Sequence, residues 1–202
     1  MSRGHEYIPA LGVDWLTPLY DPILKWVMQE DRFKRDLVQR TGLQPGQRVL
    51  DLGCGTATLT VMLKQAQSDA SLVGLDGDAQ VLAIARAKCA QTEVEVWLTQ
   101  GMAFELPYLD QTFDWVVSSL VFHHLTRLNK QRAFDEVFRV LRPGGAVHLV
   151  DFGRPHSELA RVASLLLRRF EQVADNVSGL LPVMLRAAGF DGVEERTHYT
   201  TV

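Results

Sequence analysis

Cysteine is scarce in this chain. Only Cys54 and Cys89 occur in 202 residues, far apart and with no second pair. That excludes a disulfide framework and offers no zinc-ligand spacing, so no metal site is expected. Basic charge is also in short supply. Lys and Arg total 21 against 24 Asp and Glu, giving a net charge of −3 with no long basic run. Attraction to a phosphate backbone therefore has no visible source, and a nucleic-acid partner is not expected. No apolar run approaches the roughly 20 residues that span a bilayer, and the first residues lack the apolar stretch of a secretory signal. The expected location is cytoplasmic. Repeats and low-complexity tracts are missing too. What remains is an ordinary balance of 47% hydrophobic and 22% charged residues, in a chain long enough for one self-sufficient core.

The most informative stretch is Arg48-Val-Leu-Asp-Leu-Gly-Cys-Gly-Thr-Ala-Thr-Leu-Thr60. Its first half is a short apolar run ending in an acid, which predicts a buried parallel strand. Gly53 and Gly55 follow, where a tight turn needs positive φ or a close backbone approach to a ligand. Residues 58–65 continue as a helix, with Leu59, Met62 and Leu63 at helical spacing. Strand, glycine turn and helix N-terminus together present free backbone N–H groups to a nucleotide-like ligand. A dinucleotide fold wants Gly-x-Gly-x-x-Gly. Here the sixth position is Thr58, which disfavours a nicotinamide oxidoreductase.

Further strands are predicted at residues 71–76, 94–98, 113–120, 146–152 and 190–199, alternating with helices at 81–90, 129–141, 159–173 and 180–188. This α/β alternation implies a parallel sheet. Asp76 ends the second strand 25 positions after Asp51, near the spacing at which a carboxylate meets ribose hydroxyls in nucleotide-binding α/β folds. Its competing role is to cap the helix that starts near Asp78. Met102-Ala103 and Ser118-Ser119 fall at carboxyl ends of strands, where the ligand crevice lies. Ahead of the sheet, residues 1–46 read as a helical cap or lid carrying Trp15, Tyr20 and Trp26, and residues 47–202 as the main domain. Those aromatics serve equally well as core contacts. Asp151-Phe152-Gly153 matches a kinase magnesium motif, but nothing else of that set is present, so it reads as a strand end.

These segments resemble the class I S-adenosylmethionine (SAM)-dependent methyltransferases, and within them the ubiquinone/menaquinone-biosynthesis C-methyltransferases. The resemblance rests on Val49-Leu-Asp-Leu-Gly-Cys-Gly-Thr56, Val73-Gly-Leu-Asp76, Gly101-Met-Ala-Phe-Glu-Leu-Pro107, Thr112-Phe-Asp-Trp-Val-Val-Ser-Ser119, His123-His-Leu125 and Val140-Leu-Arg-Pro-Gly-Gly145, in family order. It implies a Rossmann-like three-layer α-β-α sandwich with SAM as cofactor and a small-molecule methyl acceptor. It further implies that Asp51, Gly53, Cys54, Gly55 and Thr56 surround the methionine moiety and that Asp76, with Gly77 beside it, holds the ribose. Met102 and Ala103 would flank the adenine, and Ser119 would lie near the methionine end.

Three departures stand out. Ala57 replaces the usual third glycine, and Met102 replaces the polar residue that commonly reads adenine. The family sheet closes with an antiparallel seventh strand beside the fifth, and that strand is expected to be missing here. These departures motivate an alternative reading as a non-catalytic SAM-fold scaffold, with self-association into a homodimer left open. For the catalytic reading, methyl transfer needs chiefly alignment. A general base is required only for a weakly acidic nucleophile, and His123 and His124 are the candidates. Two adjacent histidines in a turn also serve as cap and packing residues. Tyr20 and His156 are candidate substrate contacts. The apolar stripe of residues 159–173 and the aromatic N-terminus hint at a hydrophobic acceptor.

Overall fold

The computed structural model describes residues 30–154 and 171–196. A first helix, α1 (Glu30–Thr41), leads into β1 (Arg48–Leu52), α2 (Thr58–Ala66), β2 (Ser71–Asp76), α3 (Ala79–Gln91), β3 (Trp97–Gln100) and β4 (Phe113–Ser119). A 3-10 turn at Phe122–His124 precedes α4 (Arg127–Val140) and β5 (Leu141–Val150); α5 (Glu171–Val177) and α6 (Leu181–Ala187) follow. The five strands form one sheet in the order β3-β2-β1-β4-β5, parallel throughout.

β1 sits at the centre, and Val49, Leu50, Asp51 and Leu52 are fully buried. Strand periodicity divides its side chains between the faces. Leu50 and Leu52 join Val116, Phe134 and Val137 beneath α4 and α6. Val49 joins Leu37, Leu59, Leu63 and Val117 beneath α1 and α2. α3 packs on the same side as α2, through Val61, Ala85 and Cys89. The result is the three-layer α-β-α sandwich expected from the sequence. In α1, Phe33 and Leu37 are one turn apart and both buried, so the last helix of the expected lid segment is part of the sandwich. Residues 1–29 lie outside the described residues.

Two strand starts, and the absence of one expected strand among the described residues, have local reasons. The third strand begins at Trp97 rather than 94, because the end of α3 holds on to the chain: Glu93 is left-handed at φ 54 and the Val94 amide donates back to the Cys89 carbonyl. The fifth strand starts at Leu141, before the Pro-Gly-Gly stretch. That stretch is absorbed as an irregularity, with the pairing running from Phe113↔Leu141 to Trp115↔Ala146. The expected sixth strand does not form over residues 190–196, which are bend and coil. There the Phe190 amide closes α6 on the Leu185 carbonyl and Arg186 donates to the Val193 carbonyl. Residues 197–199, and the expected apolar helix up to residue 170, fall outside the described residues. Among the described residues β5 pairs on one side only, with β4.

Candidate functional site

The order β3-β2-β1-β4-β5 reverses direction between β1 and β4, and open α/β sheets bind ligands at the carboxyl ends beside that switch. The loops after β1 and β4 therefore define the crevice. After β1, Gly53 and Gly55 adopt φ 70 and 56, the left-handed region in which a side chain is strained. The Gly53 and Cys54 amides both donate to the Leu75 carbonyl, at 2.7 and 3.0 Å, pinning the turn to the end of β2. The Gly55 amide donates to Asp76 Oδ2 at 2.9 Å, and the Asp78 amide to Asp76 Oδ1 at 2.9 Å. Each Asp76 oxygen keeps a further lone pair for a ligand hydroxyl. The cap of α3 is Asp78, which accepts from Gln80 and Val81, so the competing role considered for Asp76 falls to its neighbour. A Cβ added at Gly55 would meet nothing within 4 Å, so that side of the turn is open.

Other members of the first motif face inward. The Cys54 sulfur lies against β2, 3.0 Å from where a Cβ on Gly74 would stand, and burial pushes its thiol far above the ordinary range. Only its backbone is left to meet a ligand. The Thr56 and Thr58 hydroxyls accept from Lys88 at 2.9 and 2.7 Å. Ala57 holds the turn at φ 60 with its methyl fully buried in the cluster of Val61, Ala85 and Cys89. The missing third glycine therefore places its extra methyl in the core, and one motive for a non-catalytic reading is gone.

Asp51 is fully buried. Its Oδ2 accepts from the Thr60 hydroxyl at 2.6 Å, while Oδ1 has no hydrogen-bond partner. Desolvation pushes its carboxyl up to about 6, with the nearby Asp76 adding to the rise and Thr60 and Lys34 opposing it.

On the β3 side, Ala103 is buried, and the Met102 sulfur packs 3.2 Å from where a Cβ on Gly77 would be. The loop that follows is held by α4. Arg139 donates to the carbonyls of Leu106 and Tyr108 and to Asp110, at 3.1, 2.8 and 2.8 Å. Glu136, paired with Arg139 and held below the usual carboxylate range by that bond, accepts the Leu106 amide at 2.7 Å.

After β4, the Ser118 hydroxyl donates to the Leu52 carbonyl at 3.0 Å, and Ser119 is half-buried. A Cβ on Gly53 would lie 2.2 Å from Val121 Cγ2, so the β4 loop presses directly on the glycine turn. Two residues on, His123 Nδ1 is 2.9 Å from Asp151 Oδ1. Asp151, at the end of β5, also accepts from the amides of Val121, Phe122 and Phe152 and from Asn176 on α5. Burial alone would raise its carboxyl, yet the His123 ring and these donors outweigh it and hold it below the usual range. His124 stacks at a tilt 4.0 Å from His123 and is pushed down to about 4, chiefly by burial.

Residues 49–145 match the methyltransferase-domain family. This stretch has the fold of a methyltransferase domain. Over 130 residues the chain is 39% identical to an uncharacterized methyltransferase of Synechocystis, covering 64% of this chain and 58% of that protein. Over 153 residues it is 31% identical to the demethylmenaquinone methyltransferase of Lactiplantibacillus plantarum, covering 73% and 64%. The chain thus spans about three fifths of these relatives. The structure of a SAM-dependent methyltransferase from Aquifex aeolicus shares the fold, with a TM-score of 0.60 at 17% identity over 86% of each chain.

In this methyltransferase domain the expected site residues separate into two groups. Asp51, Gly53, Gly55, Asp76, Gly77, Met102, Ala103 and Ser119 gather at the carboxyl ends of β1 to β4, with His123 and His124 in the next turn. The side chains of Cys54 and Thr56 turn to the core and to Lys88. Tyr20 and His156 lie outside the described residues. Among the described residues no His, Cys, Asp and Glu group could hold a metal, and no helix is long and apolar enough to cross a membrane. Sequence reasoning missed Thr60, Arg139, Asn176 and above all Asp151. A cavity of about 420 Å³ runs along β5 to Asp151 and Asn176. None of the glycine-turn residues line it.

Proposed function

We propose that this methyltransferase transfers a methyl group from SAM to a small hydrophobic acceptor in the cytoplasm. The observation that carries the reading is Asp76, whose carboxylate reaches the Gly55 amide across the crevice and retains lone pairs for two vicinal hydroxyls. The residues present fit the cofactor. Asp51 holds a buried unpartnered oxygen, suited to the cationic methionine end, and the open side of Gly55 leaves room for a backbone-hugging ligand. In this reading Gly53, Gly55 and the Cys54 backbone border the methionine moiety, with Thr56 and Ser119 nearby. Asp76 and Gly77 take the ribose, while Met102 and Ala103 flank the adenine.

SAM supplies a methyl carbon on a sulfonium, whose bonding pair stays with sulfur on transfer. The chain's own task is to align the acceptor and exclude water, an orientation effect worth up to ~7–11 kcal/mol. Of the segment expected to form the lid, the part ahead of α1, with Tyr20, is proposed to wall the acceptor side together with His156. A relative named for demethylmenaquinone supports a hydrophobic acceptor.

Calorimetric titration with SAM tests the reading. Asp76→Ala removes the acceptor of two charge-assisted hydrogen bonds at ~1.5–3 kcal/mol each, so the dissociation constant is expected to rise by at least ~100-fold. Thermal unfolding run alongside separates this loss from loosening of the turn. An unchanged constant refutes the ribose assignment, and no heat or thermal shift with the unaltered protein refutes the function.

A further inference from the structure

His123 and Asp151 lie where the β4 and β5 chains leave the sheet, beside the crevice but outside the residues assigned to the cofactor. Five donors converge on the Asp151 carboxylate. The Val121 and Phe122 amides reach Oδ2 at 3.0 and 2.7 Å. The Phe152 amide reaches Oδ1 at 2.8 Å, the Asn176 amide group at 2.9 Å and His123 Nδ1 at 2.9 Å. The side chain of Asp151 is 1% exposed. A buried carboxylate can only accept, so the hydrogen-bond network assigns the proton of a neutral His123 to Nδ1 and the lone pair to Nε2.

Asn176 makes that assignment rigid. It is 1% exposed, and its amide nitrogen points at the carboxylate while its Oδ1 is buried without a partner. Turning the amide over would set two acceptors face to face. The His123 ring is fixed by its surroundings as well. Phe152 meets it edge-on at 4.7 Å between centroids, and His124 lies at 4.0 Å. At 14% exposure the His123 side chain still reaches solvent. It stands two residues from Val121, whose methyl group touches the first glycine of the turn. A tightly held imidazole with one nitrogen tied to a buried anion is more than a turn needs for packing. It is the arrangement in which a carboxylate fixes the tautomer of a proton-accepting histidine.

We propose that His123 is the group that removes the acceptor's proton through Nε2, and that Asp151 is the residue that positions it, so that the acceptor is a weakly acidic O–H or C–H compound. The proposal rests on the methyltransferase reading. In the step, the Nε2 lone pair forms a bond to the acceptor's proton, and the electron pair of the broken O–H or C–H bond becomes the nucleophile. That pair forms the new bond to the methyl carbon as the carbon–sulfur pair stays with sulfur. The proton later leaves Nε2 to water.

The test combines nitrogen-15 NMR of the histidine rings with kinetics on a panel of a phenol, an enolisable diketone and a primary amine. In the unaltered protein the His123 signals, identified by their loss in His123→Gln, are expected to be those of the Nδ1–H tautomer. Asp151→Asn is expected to switch them to Nε2–H, because an amide nitrogen then faces the ring. His123→Gln is expected to bind SAM within threefold of the unaltered protein while kcat falls by ~10²–10⁴-fold. If Asp151→Asn fails to fold, the tautomer of the unaltered protein and the His123→Gln rate decide. An Nε2–H tautomer in the unaltered protein, a kcat kept within threefold in His123→Gln, or methyl transfer to the amine alone overturns the proposal while leaving the methyltransferase reading standing. Failure of the unaltered protein to bind SAM overturns that reading instead.

Discussion

Replacing Asp51 by Asn isolates the energetic effect of a buried charge. The carboxyl is fully buried and pushed from 3.8 up to about 6, chiefly by burial, against the Thr60 hydrogen bond and the Lys34 charge and with a smaller push from Asp76. About two units at ~1.4 kcal/mol each give ~3 kcal/mol of folding free energy tied to its protonation. The sign follows from proton binding. A carboxyl whose folded value is raised stabilises most when protonated, so its contribution is full below about pH 4 and is lost as pH rises through 6. Asparagine keeps the shape, and its Oδ1 still accepts the Thr60 hydroxyl, but it does not titrate. Urea unfolding of both ligand-free proteins, at half-unit intervals from about pH 4 to about pH 7.5, should show the natural chain losing ~3 kcal/mol relative to Asp51→Asn. Other titrating groups largely cancel in the difference. A difference that stays flat within ~0.5 kcal/mol, the usual scatter of such comparisons, refutes the desolvation argument. If the cationic methionine end binds beside Asp51, SAM affinity should also strengthen as pH rises through 6 in the natural chain, and not in Asp51→Asn.

Two further substitutions probe the frame around the crevice. Arg139→Ala removes three anchors of the 106–110 loop; at ~1.5 kcal/mol or more for bonds to a charged donor, SAM should bind ~10-fold more weakly. Amide exchange at Leu106 and Tyr108 should quicken, and unchanged exchange there rules out the clamp. Ala57→Gly relieves a left-handed residue worth ~1–2 kcal/mol and gives up a buried methyl worth ~0.8 kcal/mol. The two nearly cancel, so the urea midpoint should shift by less than ~1 kcal/mol, and a loss above ~2 kcal/mol means the methyl's packing dominates.

The parts of this molecule legible in its sequence are those governed by neighbours in the chain. β1, its glycine turn and α2 follow from an apolar run, two glycines and helical spacing. β4 reads as a continuous apolar strand and is one. β3 was displaced by three residues because the end of α3 is decided by a left-handed Glu93, which no composition rule favours at glutamate. β5 began early because pairing with β4 carries the chain through Pro143 and both glycines. Asp151 leaves no local trace for a similar reason. Its partners at 121 to 123 and at 176 lie 25 to 30 positions away, and no local spacing signals contacts that only the sheet order creates. Thr60 is closer to Asp51, yet its role depends on α2 folding back over β1.

Val121 crowds Gly53 so tightly that the two positions share a single volume, though 68 residues separate them. Position 53 cannot gain a side chain alone. A lineage that gained a methyl at 53 would first have to shed bulk at 121, and even then the backbone bend would still resist the newcomer. Substitutions at these two sites should therefore be inherited together.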